Sequence, residues 1–364
     1  MKKTSRLLSL LLVFFLCLSV LPLSAAAATS GWQEEGDFWV YYENGARATG
    51  WRQIGGYWYY FVPEWNGGMF TGFMNTDPAF FSGGSGPFTG DWYHFSDSGK
   101  MDANKWVKST YTFDGITYTD WGYAHSSGKL AKGWKQISGV WYYFDPELDG
   151  VMLTGGPYEI GGKWYYFKDS GALYTGWKSF TDTYEEAGET QTDTYWYYFT
   201  SNGAAMGWKQ IGGVWYYFDP ESDGVMLTGG PYEISGKWYY FKDSGALYTG
   251  WKKFVFTDLE PGKETVFWTY FTSNGAAFDE WKKIDGKWYY FDYATMVTGG
   301  PYKLSGSYYY FSDSGAMYTG WKYTQKYDIG PGWWYFTSSG AAVKDGWQKI
   351  NSKWYQFKDY ILVE

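Results

Sequence analysis

The sequence contains a long internal duplication. Two 45-residue stretches, Gly133–Trp177 and Gly207–Trp251, differ from each other at only three positions. A looser third copy runs from Trp281 to Trp321, and a more divergent fourth copy from Trp51 to about Lys132. Such periodicity is typical of an array of similar units, each of which buries its surface against its neighbours rather than in one central core.

Each large copy divides into three shorter units that are predicted to be β-hairpins. In one of them, the strand Trp208–Ile211 is followed by Gly212 and Gly213 and then by a second strand, Val214–Phe218. Two adjacent glycines suit the positive φ angles of a tight hairpin turn. An opening unit, four triplets and a closing unit give about fourteen aromatic-rich repeats. Because one hairpin cannot bury its own face, we predict an all-β fold, an elongated solenoid of stacked hairpins.

Aromatic residues have to supply the interior of these units. The chain has 25 Trp, 39 Tyr and 26 Phe, whereas only nine of its leucines lie after residue 23. That is too few aliphatic residues for a helix bundle or a doubly wound α/β enzyme of this length. Together with 49 Gly, the composition favours short aromatic strands separated by turns.

Residues 1–28 are predicted to be an export signal. A basic start precedes an apolar run from Leu7 to Leu21 and the small residues Ala25 to Ala28. The run is too short for a membrane span. Cys17, the only cysteine, lies within it, so the mature chain would hold no disulfide and no thiolate metal site. We expect a secreted or cell-surface protein with non-covalent attachment and no membrane span after signal removal.

The charge of the mature chain bears on its partners. Removal of residues 1–28 leaves 27 basic and 38 acidic residues, a net charge of −11. This charge repels phosphate backbones, so no nucleic acid is expected as a partner, but it is compatible with cationic ligands.

One stretch carries a family resemblance. Gly207–Phe218, followed by Gly224–Gly229, resembles the choline-binding, or cell-wall-binding, repeat of Gram-positive surface proteins. Related repeats occur in the glucan-binding regions of glucansucrases and in the receptor-binding ends of clostridial toxins. The resemblance covers essentially the whole mature chain. It implies a left-handed hairpin solenoid with about three hairpins per turn, in which two aromatic residues of one hairpin and one of the next wall a choline cavity.

The resemblance also suggests a domain organisation. Four regions follow from it: a signal peptide at 1–28, divergent cell-wall-binding repeats at 29–132, regular triplet repeats at 133–346 and a C-terminal capping hairpin at 347–364.

Candidate ligand-binding residues are carried over from the family position by position. The tryptophans that match the strand-pair aromatics are Trp51 with Trp58, Trp134 with Trp141, Trp208 with Trp215, and Trp281 with Trp288. Strand alternation puts the second Tyr after each strand Trp on the same face, which makes the candidate third walls Tyr166, Tyr240 and Tyr310. The methionines expected to close the cavity floor are Met69, Met152, Met226 and Met296. Three middle units have Gly-Pro-Tyr in place of Gly-Trp, so their sites are expected to be absent or altered.

Three functions remain open at this point. The first is attachment to choline-decorated teichoic acids through aromatic cages, because a trimethylammonium group cannot donate a hydrogen bond and is recognised by π-faces. The second is binding of an α-glucan or another polysaccharide, with Lys209 and Gln210 beside a flat aromatic platform. The third is a surface adhesin that contacts a host or partner protein. Its contacts would be three long loops that the triplet period aligns, Thr181–Thr194, Thr257–Thr265 and Thr324–Pro331.

No cofactor, metal ion or enzymatic activity is expected. The segments Asp145–Gly150 and Asp219–Gly224 begin like calcium loops but lack a glutamate at the twelfth position, so turn formation explains them better. The only histidines, His94 and His125, match no metal or catalytic spacing and are interpreted as packing or surface residues.

Overall fold

The computed structural model describes residues 30–83, 89–256, 264–326 and 329–363. They form fourteen sheets of two or three strands, which confirms the predicted all-β class. Two compact units are present: described residues up to Trp177 with Phe199–Ala204, and Lys178–Tyr198 with described residues from Ala205 onward. The predicted export signal and Cys17 lie outside the described residues. Within these ranges, no helix has the length and apolar character needed to cross a bilayer.

The hairpins are numbered here in chain order. The strands of hairpins 1 to 3 are β1 (Ser30–Glu35), β2 (Phe38–Glu43), β3 (Ala46–Arg47); β4 (Gly50–Ile54), β5 (Tyr57–Val62), β6 (Gly68–Met69); and β7 (Gly72–Asn75), β8 (Trp92–Phe95). The strands of hairpins 4 to 6 are β9 (Lys105–Phe113), β10 (Ile116–Ala124); β11 (Gly133–Ile137), β12 (Val140–Asp145), β13 (Val151–Met152); and β14 (Gly156–Ile160), β15 (Lys163–Phe167). The boundary between the two units falls within hairpin 7, whose strands are β16 (Gly176–Glu186), β17 (Glu189–Thr200) and β18 (Gly203–Ala204).

The remaining hairpins belong to the second unit. The strands of hairpins 8 to 11 are β19 (Gly207–Ile211), β20 (Val214–Asp219), β21 (Val225–Met226); β22 (Gly230–Ile234), β23 (Lys237–Phe241); β24 (Gly250–Phe256), β25 (Thr265–Phe271); and β26 (Glu280–Ile284), β27 (Lys287–Asp292), β28 (Thr295–Met296). The strands of hairpins 12 to 14 are β29 (Gly300–Leu304), β30 (Ser307–Phe311); β31 (Gly320–Lys326), β32 (Gly330–Phe336); and β33 (Gly346–Ile350), β34 (Lys353–Lys358), β35 (Ile361–Leu362). The helical elements in the described residues are one short helix, α1 (Pro78–Phe81), and two 3₁₀ turns, Pro63–Trp65 and Pro220–Ser222.

Hairpin 8 shows how the repeat sequence sets the register. Gly212 and Gly213 both have positive φ angles, 58° and 83°, which confirms the turn predicted from the sequence. This turn places Trp208 opposite Tyr217. Gly207 lies opposite Phe218, which is fully buried. A phenylalanine at this position is buried in almost every hairpin, so the core is built of aromatic rings, as the composition predicted.

Consecutive hairpins are joined by main-chain hydrogen bonds. The exit residue of hairpin 6, Leu173, donates from its amide to the carbonyl oxygen of Trp141 in hairpin 5, at 2.8 Å. Leu247 of hairpin 9 donates in the same way to Trp215 of hairpin 8, also at 2.8 Å. These exit segments therefore tie hairpin 6 to hairpin 5 and hairpin 9 to hairpin 8, which supplies the stacking that a single hairpin lacks.

A methionine and a glycine fit together at several of these junctions. Gly171, in the exit turn of hairpin 6, has a φ of 77°, and a Cβ placed on it would lie 2.3 Å from Met152 of hairpin 5. The same arrangement joins Met69 to Gly99, Met226 to Gly245 and Met296 to Gly315. These four methionines, predicted to form a cavity floor, thus lie against the exit turn of the following hairpin.

The long segments at every third hairpin are only partly as predicted. Thr181–Thr194 was expected to be a loop, and this was wrong: β16 and β17 continue through it to a turn at Ala187 and Gly188. Both turn residues have positive φ angles, 52° and 84°. The other two segments include residues 257–263 and 327–328, which lie outside the described residues.

Candidate functional site

The strand-pair tryptophans form a partly exposed corner on one face of each first hairpin in a triplet. In hairpin 5, Trp134 lies opposite Tyr143 and Gln136 opposite Trp141, so the two tryptophans are diagonal neighbours on one face. Their ring centroids are 6.4 Å apart at an interplanar angle of 80°. Trp134 is 36% exposed and Trp141 41%, which leaves ring surface open to a ligand.

The same corner recurs in the other first hairpins. Trp51 and Trp58 are 6.3 Å apart at 81°, and Trp281 and Trp288 are 6.5 Å apart at 83°. In hairpin 8, Trp208 and Trp215 occupy the same register and are similarly exposed. The structure therefore brings together all four tryptophan pairs that the sequence singled out.

The tyrosine supplied by the following hairpin is not the one predicted. Trp134 contacts Tyr165 of hairpin 6, with ring centroids 4.7 Å apart, whereas Tyr166 packs against Tyr174 and Phe199. The equivalent contacts of the other first-strand tryptophans are Trp208 with Tyr239 at 4.8 Å, Trp281 with Tyr309 at 4.8 Å and Trp51 with Tyr93 at 4.9 Å.

The physical reason is the direction of stacking. Tyr166 shares a face with the tryptophan of its own strand, and this face is turned away from hairpin 5. A side chain of hairpin 6 that contacts hairpin 5 must lie on the opposite face, where strand alternation puts Tyr165. Ligand contact by Tyr166, Tyr240 or Tyr310 at the tryptophan corners therefore remains a prediction that the ring contacts do not favour.

Acidic side chains lie close to each tryptophan corner. Burial raises the pKa of Tyr143, the ring beside Trp134, and the negative charges of Asp145 and Glu147 raise it further. Burial followed by nearby acidic charges also raises the pKa of the corresponding tyrosines, Tyr60 through Glu64, Tyr217 through Asp219 and Glu221, and Tyr290 through Asp292, Glu280 and Asp279. A negative field beside exposed π-faces favours a cationic ligand.

Of these acidic residues, those in the segments Asp145–Gly150 and Asp219–Gly224 were predicted from the sequence to form turns. That role is confirmed, because the Asp145 carboxylate accepts a hydrogen bond from the Glu147 amide at 2.9 Å, and Asp219 does the same for Glu221 at 3.0 Å. Their second role, beside the corner, follows from the strand pattern, because Asp145 and Asp219 each end a second strand two residues after the corner tyrosine, Tyr143 or Tyr217, and so share its face. Among the described residues, no group of three or more His, Asp or Glu side chains is arranged to hold a metal ion.

The middle hairpins of the triplets replace the missing first-strand tryptophan with a tyrosine from their own exit segment. In hairpin 9, Tyr248 contacts Tyr240 at 5.8 Å and Phe271 at 6.0 Å. Trp208 makes the corresponding contacts in hairpin 8, with Tyr217 and Phe241. The middle hairpins were expected to have no site or an altered one. They have an altered aromatic arrangement, in which a tyrosine takes the place of the tryptophan. The repeated Tyr-Thr-Gly at positions 174, 248 and 318 was the sequence signal for it.

The two histidines take part in local polar contacts. His94 Nδ1 lies 2.6 Å from an Asp102 carboxylate oxygen, and its ring packs edge-on against Phe73, which confirms a packing role. His125 Nδ1 lies 3.0 Å from Lys135 Nζ, and burial, with a further effect of Lys135, lowers the pKa of His125.

Two families of repeats match the sequence. A family described as choline-binding repeat matches residues 131–177 and 205–251. A second, described as putative cell wall binding repeat, matches residues 49–61, 89–101, 191–205, 279–293, 302–317 and 345–359. All four tryptophan pairs fall within the matched ranges or at their edges. No curated protein sequence matches the chain.

Several solved structures that are similar to this chain come from Streptococcus pneumoniae. Choline binding protein F in crystal form II is 24% identical, with a TM-score of 0.51, over 80% of this chain and 99% of that one. The same protein in the presence of a peptidoglycan analogue, a tetrasaccharide-pentapeptide, gives the same values. The modular autolysin LytC in complex with a synthetic peptidoglycan ligand is 23% identical, with a TM-score of 0.27, over 77% of this chain and 53% of that one. At these identities the similarity to choline binding protein F shows the fold.

Proposed function

Because this chain is made of choline-binding and cell-wall-binding repeats, we propose that it is an exported, non-catalytic protein that attaches non-covalently to choline-bearing teichoic acids of a bacterial cell wall. The cages lie where a tryptophan corner meets the next hairpin, at hairpins 2 and 3, 5 and 6, 8 and 9, and 11 and 12. The successive hairpins would follow the left-handed path with about three hairpins per turn that the family resemblance implies.

The observation that carries the proposal is an exposed tryptophan corner beside negative charge. A trimethylammonium group offers no hydrogen-bond donor, so π-faces and an acidic field are what can bind it. Each face contributes about 0.5–2 kcal/mol, so two or three faces give about 1–6 kcal/mol, a range that includes the roughly 4 kcal/mol of a millimolar dissociation constant. Single sites of this strength hold a polymer only when several bind the same chain, because effective concentration then raises the overall affinity.

The polysaccharide alternative is less well supported. Gln210, expected to bond a sugar hydroxyl, donates from Nε2 to the Gly213 carbonyl in its own turn at 3.1 Å. Lys209 Nζ lies 5.7 Å from the ring centroid of Tyr198. Both polar groups beside Trp208 therefore already have intramolecular contacts, and the corner offers aromatic surface and charge rather than a hydrogen-bonding platform.

Choline titration followed by tryptophan fluorescence tests the proposal, with dextran titrated in parallel. We expect saturable, millimolar-range quenching by choline, and a loss of one site in Trp215→Ala. The matched control is Trp238→Ala, which removes an equally exposed second-strand tryptophan from a hairpin with no first-strand tryptophan. Equal losses in the two variants would contradict the corner geometry. Silence to choline with retardation by dextran would favour the polysaccharide alternative, and silence to both would favour the adhesin.

A further inference from the structure

A lysine of the chain lies within an aromatic box at the junction of hairpins 9 and 10. Lys252 Nζ is 4.2 Å from the ring centroid of Tyr240, 5.6 Å from that of Tyr248 and 6.0 Å from that of Phe254. All three distances are within the range of a cation–π interaction. Two hairpins contribute to this box, because Tyr240 and Tyr248 belong to hairpin 9 and Phe254 to hairpin 10.

The rings of the box are held by contacts that do not involve the lysine. Tyr240 meets Tyr248 at an interplanar angle of 81° and Phe254 at 69°, so the ring of Tyr240 is steeply inclined to each of the other two. The Tyr248 hydroxyl donates a hydrogen bond to the carbonyl oxygen of Trp251 at 2.6 Å. Phe271, which is buried, lies behind both tyrosines. The box would therefore persist without the ammonium group.

The two tyrosine walls of this box and its lysine recur at the junction of hairpins 12 and 13, where Thr324 stands at the position of Phe254. Lys322 Nζ lies 4.9 Å from the ring centroid of Tyr310 and 5.6 Å from that of Tyr318. The Tyr318 hydroxyl donates to the Trp321 carbonyl oxygen at 2.9 Å. The recurrence in two repeats of different sequence argues against an accidental side-chain placement.

At the corner of Trp208, the next hairpin has a tyrosine at the position that Lys252 occupies at the box. In hairpin 10, Lys252 is the second residue after the glycine that starts the first strand. Hairpin 9, which faces the corner of Trp208, has Tyr232 at that position, and its hydroxyl donates to the carbonyl oxygen of Thr228 at 2.8 Å. The side chain that approaches the corner from the next hairpin is thus an aromatic ring, whereas the tyrosine box receives an ammonium group.

We infer that the box of Tyr240, Tyr248 and Phe254 is a cation site that the chain fills with its own Lys252. The ammonium of Lys252 is already in place 4.2 Å from the Tyr240 ring centroid, so free choline has to displace it before it can occupy the box. Removal of the ammonium opens a further site for a quaternary ammonium. The choline part of this inference rests on the proposed function, whereas the position of the lysine does not.

The position of Lys252 is tested without choline. Reductive methylation with ¹³C-formaldehyde keeps the lysine charge and labels each ammonium for NMR. We expect the Lys252 methyl resonance, assigned by its loss in Lys252→Gln, to be displaced upfield by the ring faces relative to that of its neighbour Lys253, which is exposed on the other face of the hairpin. Coincidence of the two resonances would overturn the inference.

The latent site is tested by equilibrium dialysis with labelled choline. Lys252→Gln and Lys252→Ala should each bind one more equivalent at saturation than the wild type, and Lys253→Gln should bind the same as the wild type. No gain in either Lys252 variant, including the case in which no form binds choline, would overturn the cation site. A gain in a variant of a wild type that itself binds none would leave the inference standing and refute the proposed function.

Discussion

Substitution of Gly171 by alanine tests the methionine–glycine contact between hairpins 5 and 6. A Cβ at Gly171 would lie 2.3 Å from the Met152 sulfur and terminal methyl, closer than any real contact. Gly162, in the hairpin turn of the same hairpin, has nearly the same φ, 74° against 77°, and open space around it. Gly162→Ala is therefore the matched control for the backbone conformation.

The expected free energies follow from these two differences. A positive φ costs an alanine about 1–2 kcal/mol, and this applies to both variants. Overpacking against Met152 adds about 1–3 kcal/mol in Gly171→Ala only. Met152→Ala alone should cost about 2–5 kcal/mol through the cavity that it leaves. In the Met152→Ala background, Gly171→Ala should cost only the about 1–2 kcal/mol of its positive φ, because the overpacking is removed. The coupling energy between the two substitutions should therefore be about 1–3 kcal/mol.

Hydrogen exchange is the assay of choice because a repeat array need not unfold in one step. The Leu173 amide, which bonds to the Trp141 carbonyl, reports opening of this junction. Urea unfolding followed by tryptophan fluorescence gives the global comparison. Equal losses in Gly171→Ala and Gly162→Ala, or no relief from Met152→Ala, would refute the packing argument.

Three further outcomes are expected. Burial and acidic neighbours raise the pKa of Tyr143, Tyr217 and Tyr290, so the stability that these neutral tyrosines contribute is complete below about pH 10 and is lost as the pH rises through their raised pKa values. Tyrosinate absorbance and circular dichroism should therefore change together above pH 10. Ionisation of these tyrosines at a lower pH, without a change in circular dichroism, would contradict this. Glu221→Gln should weaken choline binding at one corner about twofold at low salt and leave dextran binding unchanged, whereas the same change in 1 M salt should have little effect. Fluorescence titration at both salt concentrations measures this, and an equal loss at the two concentrations would contradict an electrostatic role for Glu221. Tyr248→Phe should cost about 1 kcal/mol through loss of its bond to the Trp251 carbonyl, measured by urea unfolding, with Tyr323→Phe as an exposed control.

Much of the fold could be predicted because its determinants are local. Aromatic runs between glycine-rich turns indicated the strands, and the paired glycines at 212 and 213 indicated the turn and hence the diagonal placement of Trp208 and Trp215 on one face. The error at Thr181–Thr194 has a local cause as well. A polar, threonine-rich segment was interpreted as a loop, although threonine has a high strand propensity, and Thr183 and Thr192 meet across the hairpin with hydroxyls 3.3 Å apart.

The parts of the site that depend on stacking could not be predicted in this way. Whether Tyr165 or Tyr166 faces Trp134 is decided by which face of hairpin 6 meets hairpin 5, and alternation alone does not specify that. Tyr248 takes the place of a missing tryptophan only because the exit segment of hairpin 9 brings it against Tyr240 and Phe271. The contact of Lys252 with Tyr240 depends on how hairpin 10 packs against hairpin 9. Contacts within a hairpin were therefore predicted well, and contacts between hairpins were not.

The proposed placement of the cages at junctions between hairpins has a consequence for how such a gene can change in length. The two near-identical copies begin at residues 133 and 207, 74 residues or three hairpins apart. Unequal recombination between them adds or removes a whole triplet, so a tryptophan corner that is gained or lost comes with its own Pro-Tyr hairpin and its own tyrosine box. Loss of a single hairpin would instead bring mismatched faces together. Alleles should accordingly differ by multiples of three hairpins, and each step should change the number of open cages by one.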